Sequence, residues 1–189
     1  MRKLAVFFPG IGYGNDRSLL YFSRRLAEKQ GYEPLLISYR DLPRDAKSSP
    51  EKMTECVRLA TEQSEQMLSA AGLPEYGEIL FTGKSIGTIA AAHLAEKSGL
   101  ADRIRQILYT PLEETLGFAI TNGIAFTGGN DPWVGGKDSR IARICREKGI
   151  PCFVVPEANH SLETGDPVRD IENLKKIMLE AERFIRGDE

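Results

Sequence analysis

Three polar residues in this chain have the types and settings to act together: a serine, a histidine and an aspartate. Ser85 lies in Gly83-Lys84-Ser85-Ile86-Gly87, between an apolar run that ends at Thr82 and a helix-like stretch containing Ala90, Ala91 and Ala92. A G-x-S-x-G pentapeptide placed between a strand and a helix fits a tight turn that presents the serine hydroxyl. The backbone there is strained and crowded, so side chains two positions to either side would collide. Glycine removes the collision. The hydroxyl then stands clear of the strand at a helix N-terminus, where the dipole favours developing negative charge. That is the setting of a nucleophile, and a serine nucleophile needs a base.

The chain offers two histidines. His93 falls eight residues into the helix expected from Ser85, about 12 Å along its axis at 1.5 Å per residue, and is read as a surface or packing residue. His160 follows the last strand-like run, in Glu157-Ala158-Asn159-His160-Ser161-Leu162, and is the expected base. A carboxylate must hold that imidazole in the right tautomer. Asp131, in Thr127-Gly128-Gly129-Asn130-Asp131-Pro132-Trp133, is the expected partner, although Asn-Asp-Pro is also good turn chemistry. Glu113 and Glu114, after the preceding strand, are the competing acids. An oxyanion formed at the serine needs two backbone N–H donors. Ile86 is expected to supply one. Ile11, in the glycine-rich Pro9-Gly10-Ile11-Gly12-Tyr13-Gly14, is expected to supply the other.

Four further residues sit close to these in sequence. Lys84 is a large cation beside the expected nucleophile. Recognition of an anionic substrate group or support of the triad acid are functional readings, but a lysine that snorkels to solvent or pairs with a glutamate is the expectation. Tyr13, Trp133 and Leu162 are candidate pocket walls, and equally packing that holds their loops.

The elements that must position these residues alternate along the chain. Leu4 to Phe8, Pro34 to Tyr39, Glu78 to Thr82, Gln106 to Tyr109, Gly123 to Phe126 and Pro151 to Val155 are short, continuous apolar runs. Strands buried on both faces have this composition, as in a parallel sheet covered by helices. Helices are expected over Asp16 to Gln30, with Gly31 as a stop, and over Pro50 to Ala71, started by Ser49-Pro50. Ser85 to Lys97, Lys137 to Lys148 and Val168 to Arg186 complete the set. Strand–helix alternation without repeats or linkers predicts one α/β domain over residues 1–189. Site residues of such a sheet gather at the carboxyl ends of its strands.

Composition narrows the functions. A formal net charge of −2 offers no basic stripe for nucleic acid. Cys56, Cys145 and Cys152 match neither a disulfide framework nor a zinc site, so free thiols in a reducing compartment are expected. The apolar start breaks at Pro9-Gly10, short of a signal-peptide core, and no run approaches a membrane span. A cytoplasmic protein without metal or organic cofactor is expected. Gly83-Lys84-Ser85 is not a P-loop, because the upstream glycine, Gly77, is one residue too far and strand-like residues intervene. Gly10-x-Gly12-x-Gly14 misplaces the third glycine of a dinucleotide fingerprint.

Together these motifs resemble the α/β-hydrolase superfamily, specifically its small lidless members of the dienelactone-hydrolase and carboxylesterase kind. The likeness covers essentially the whole chain: Pro-Gly-Ile-Gly after the first strand, Gly-Lys-Ser-Ile-Gly, Gly-Gly-Asn-Asp-Pro and Ala-Asn-His-Ser-Leu, in that order. The order Ser85, Asp131, His160 is the one that fold uses. Many relatives have His-Gly where this chain has Pro9-Gly10. The resemblance implies a minimal six-stranded, mostly parallel sheet that lacks the first two antiparallel strands of larger relatives. Only about a dozen residues follow Tyr109 where relatives insert a lid. An open, shallow site and a short acyl substrate are expected, with hydrolysis of a carboxylester-type bond through an acyl-enzyme. The alternative is a non-catalytic binding module on the same fold.

Overall fold

The computed structural model describes residues 1–43, 45–134 and 140–188. Its centre is a sheet of six strands, all pairs parallel, in the order β2-β1-β3-β4-β5-β6. The strands are β1 Lys3–Phe8, β2 Glu33–Leu36, β3 Glu78–Lys84, β4 Ile104–Tyr109, β5 Gly123–Gly128 and β6 Cys152–Val155. The helices are α1 Ser18–Lys29, α2 Pro50–Ala71, α3 Ile86–Lys97, α4 Arg140–Glu147 and α5 Pro167–Arg186. The six expected strands and five expected helices are all present. Residues 137–139, the expected start of the fourth helix, lie outside the described residues.

Alternate side chains of β1 explain why the strands read as unbroken apolar runs. Ala5 and Phe7 pack beneath α1 and α5 with Leu19, Leu20, Ile177 and Ala181. Leu4, Val6 and Phe8 pack on the other face with Leu68 of α2 and Ala90, Ala91 and Leu94 of α3. A strand clothed on both faces has no polar side to show. Helix α3 is buried nearly all round, which its run of small residues permits by letting it lie close on the sheet. Helix α2 starts on the expected cap, the Ser49 hydroxyl accepting from Lys52 N–H at 3.2 Å, with Pro50 in its first turn.

Two strand ends depart from expectation. The second strand stops at Leu36 rather than Tyr39. Ile37 N–H still reaches Phe7 O at 3.0 Å, but Arg40 then exchanges both its backbone bonds with the Gln63 side chain of α2. The third strand runs on to Lys84, pairing Gly83 with Leu108 and Lys84 with Tyr109. The sheet order reverses direction between β1 and β3, so their carboxyl ends form the switch point where such a sheet opens a crevice. No helix among the described residues is long and apolar enough to cross a membrane.

Candidate active site

Ser85 joins β3 to α3 with φ 54° and ψ −123°, a backbone conformation that side-chain-bearing residues rarely adopt. Its N–H is held by Tyr109 O at 3.0 Å, which ties the turn to the end of β4. Both flanking glycines are required by space. A Cβ at Gly83 would sit 2.8 Å from Gly87 O and Thr88 Cα, and one at Gly87 would sit 2.2 Å from Phe8 O. The crowding expected of the pentapeptide is therefore real, and its sources are the first turn of α3 and the end of β1.

The three polar residues singled out by type and spacing meet at this point. Ser85 Oγ lies 2.9 Å from His160 Nε2, and His160 Nδ1 lies 2.7 Å from Asp131 Oδ2. A carboxylate at this position selects the tautomer with Nδ1–H, which hydrogen-bonds to Asp131 Oδ2. Nε2 is left to accept from the serine hydroxyl. The Asp131 side chain is fully buried while the His160 ring keeps about a fifth of its surface exposed. The second carboxylate oxygen of Asp131 accepts from Trp133 N–H at 2.9 Å, so both oxygens are aimed. Glu113 and Glu114 are exposed, and Glu113 pairs with Arg140 at 3.2 Å. His93 stacks edge-on against Phe118, the packing role expected of it.

The loops that carry Asp131 and His160 are sewn together. Gly129 N–H donates to Val155 O at 2.8 Å and Asn130 N–H to Ala158 O at 2.9 Å. Gly128 has no room for a side chain, because a Cβ there would lie 2.3 Å from Ala158 O. Beyond His160, the Asn159 carboxamide accepts from Ser161 N–H at 2.7 Å. Asp170 of α5 accepts from Thr164 N–H, Thr164 Oγ1 and Gly165 N–H. Burial works against its negative charge, yet these bonds hold the Asp170 carboxyl below its ordinary value. Sequence reading missed Asn159 and Asp170 as braces. The legible signal was an Asx residue beside the base and an acid at the start of the following helix.

The serine opens into a cavity of about 210 Å3. Ile11 and Ile86 line it beside Ser85, as the expected pair of oxyanion donors must. Ile86 opens α3, so its N–H is one of the amides that no helical turn satisfies. The Ile11 loop is pinned by reciprocal bonds between Gly10 and Tyr13, at 3.0 and 3.2 Å. Gly10 presses on the elbow itself, its missing Cβ position 3.0 Å from Lys84 O.

Of the four flanking residues, Tyr13, Trp133 and Lys84 border the cavity, joined by Arg17, Met53 and Leu112, which the sequence did not single out. Leu162 does not border it; it is buried in the core with Ile177 and Ala181. Lys84 corrects an expectation. It does not snorkel: it is 1% exposed, and its ammonium lies 5.2 Å from the centre of the Tyr13 ring. The cause is the longer third strand, which carries residue 84 into the sheet ladder and under the loop after β1.

Solved structures with the same arrangement of elements confirm the architecture. A candidate α/β hydrolase of unknown function from Agrobacterium tumefaciens superposes with a TM-score of 0.66 at 14% identity, over 99% of this chain and 87% of that one. An α/β serine hydrolase homologue from Coxiella burnetii gives 0.65 at 13% identity, over 100% and 85%. A serine hydrolase without a lid from Xanthomonas campestris gives 0.60 at 14%, over 98% and 81%. This chain has the α/β-hydrolase fold. No protein-family model matches the sequence, and no curated protein does. Within the α/β-hydrolase fold, this chain keeps a short passage between β4 and β5, whose Glu113–Gly117 segment is a single 310 turn rather than a lid.

Proposed function

We propose that this protein is a serine hydrolase that cleaves a small carboxylester-type substrate through an acyl-enzyme on Ser85. The observation that carries the reading is the continuous relay Ser85–His160–Asp131, at 2.9 and 2.7 Å, delivered by a strained elbow. Ser85 Oγ attacks the carbonyl carbon while His160 Nε2 takes its proton. The tetrahedral oxyanion is held by the N–H groups of Ile86 and Ile11. His160 then returns the proton to the leaving alkoxide as the carbon–oxygen bond breaks, and the same cycle with water releases the acid. Asp131 keeps its charge and stabilises the imidazolium throughout.

A fluorophosphonate probe tests this directly. Folded wild-type protein is expected to be labelled, with labelling abolished in Ser85→Ala and reduced at least 10²-fold in rate in His160→Ala. Absence of labelling in the folded wild type would replace the hydrolase with a binding module on the same fold. Protonated His160 cannot accept from Ser85, so the rate is expected to fall as pH drops below neutrality. A rate that stays flat from about pH 5 to 8 would remove His160 as the base.

A further inference from the structure

A second cavity adjoins the one that holds the serine. It measures about 500 Å3, inside the usual range of ligand sites, about 300–1,000 Å3, whereas the serine's own cavity of about 210 Å3 falls below it. Met53, Leu112 and Trp133 line both, an apolar threshold between the two. The far side of the second cavity is the start of α2 and of the 310 turn Glu113–Gly117. Three of its polar side chains are engaged within the protein. The Ser49 hydroxyl caps α2, Thr54 donates to Pro50 O at 3.0 Å, and Glu113 pairs with Arg140. Trp133, anchored through its N–H on Asp131, keeps 46% of its surface exposed. Its ring centre lies 6.2 Å from that of His160, which ties the second cavity to the relay.

We propose that the second cavity is the subsite for the leaving alcohol, and that the substrate is an ester of a short acid with a bulky, uncharged aromatic alcohol that packs on Trp133. The proposal rests on the hydrolase reading and names its substrate class. The roles of the relay assign the two halves of the ester. The carbonyl oxygen turns to the N–H groups of Ile86 and Ile11, and the leaving oxygen must come within reach of His160, which returns the proton to it. Trp133 stands on that side, so the alcohol meets its ring and the larger cavity beyond, while the acyl group is left with the smaller one. An aromatic alcohol gains a ring contact in addition to its burial. The charged side chains of the wall, Glu113 and Glu114, oppose an anionic alcohol. Both are exposed, so neither offers a buried partner to a cationic one.

The test compares 2-naphthyl acetate with phenyl acetate, which share an acyl group and differ in the size of the aromatic alcohol, each corrected for spontaneous cleavage. Wild type is expected to favour the naphthyl ester in kcat/KM by about fivefold or more. Trp133→Ala should cut that ratio by about threefold or more whatever its absolute rates, since the phenyl ester reports any damage to the relay. Thr54→Trp, at an exposed position of α2 that lines the second cavity and not the first, should cut it by filling the space. Lengthening the acid of the naphthyl ester from acetate to octanoate should lower kcat/KM. A rise instead would put the acyl chain in the second cavity and overturn the assignment. A naphthyl-to-phenyl preference that is absent, or that neither variant moves, overturns the subsite and leaves the hydrolase standing. If the wild type neither hydrolyses esters nor reacts with the phosphonate, the hydrolase reading has failed, and binding alone judges the cavity. Calorimetry of Ser85→Ala protein with 2-naphthol and phenol then decides. Naphthol-selective binding that Trp133→Ala abolishes supports the aromatic site, and no such binding overturns it.

Discussion

At the amino end of the sheet, each return from helix to strand turns on a glycine in the left-handed region: Gly31 after α1, Gly72 after α2, Gly99 after α3 and Gly149 after α4, with φ between 68° and 81°. At the carboxyl end that region is also occupied by residues with side chains. Asp41, Ser85, Thr110, Glu157 and Leu162 all have positive φ, and all five follow strands. A glycine adopts this conformation without steric cost, whereas other residues there are held at about 1–3 kcal/mol each. The amino end also encloses more space. A cavity of about 730 Å3 opens there, between the starts of the last strands and the end of α5, yet no serine, cysteine or histidine lines it. Backbone strain and the meeting of a serine, a histidine and an aspartate, rather than volume, set the carboxyl end of this molecule apart.

Replacing the strained residue at the elbow is the largest perturbation of that contrast. Ser85→Gly should lose at least about 10⁴-fold in kcat, as removal of a triad nucleophile does. It should also melt higher than Ser85→Ala, because glycine relieves φ 54° and alanine does not. Each kcal/mol of relief corresponds to roughly 2–4 °C in a chain of this size. Thermal melts of the two inactive variants decide the point. A lower Tm for Ser85→Gly would mean that the elbow stores no strain.

The glycines of the two ends should respond just as differently. Gly128→Ala would place a methyl 2.3 Å from Ala158 O and 2.5 Å from Asn159 O, so the loop bearing His160 must move. A loss of more than about 3 kcal/mol and at least 10²-fold in activity is expected. Gly149→Ala meets nothing within 4 Å and suffers only from its φ of +70°. About 1–2 kcal/mol of stability should go, with kcat/KM unchanged. Denaturant unfolding and ester hydrolysis on the pair would sink the comparison if Gly149→Ala proved the less active.

How far the sequence reached follows the same division. The sheet, its helices and the meeting of Ser85, His160 and Asp131 were legible because each has a local signature: apolar runs, glycines at fixed offsets, a histidine and an acid just past strands. What was not legible depends on parts of the fold distant in sequence. Residues 38–40 look like strand, but Arg40 finds its bonds in Gln63, 23 residues away. Gly83 reads as a turn, yet the β3–β4 ladder runs through it, and that extension is what buries Lys84. Leu162 sits in a polar loop by sequence, and a left-handed φ of 61° accompanies its burial in the core. In each case a contact across the fold outweighed the preference of the nearby residues.

The smallest effect is expected from a brace that no motif advertises. Asp170 collects three donors from Thr164 and Gly165, in the stretch that leads from His160 into α5. Asp170→Asn keeps the shape but weakens these charge-assisted bonds, which should cost about 1 kcal/mol and a few-fold in kcat. The sign of its pH dependence is fixed by the direction of the shift. A carboxyl held below its ordinary value stabilises the fold at all pH above about 3.9, and the contribution vanishes as pH falls through the lower folded value. Wild type and Asp170→Asn should therefore differ in Tm at neutral pH and converge in strong acid. Curves that stay parallel down to that limit would show that the loop is held by something other than this charge. The kcat of Asp170→Asn would then be expected to match wild type, and the order of the His160 loop would rest on its backbone bonds to the neighbouring loop, such as Asn130 N–H to Ala158 O.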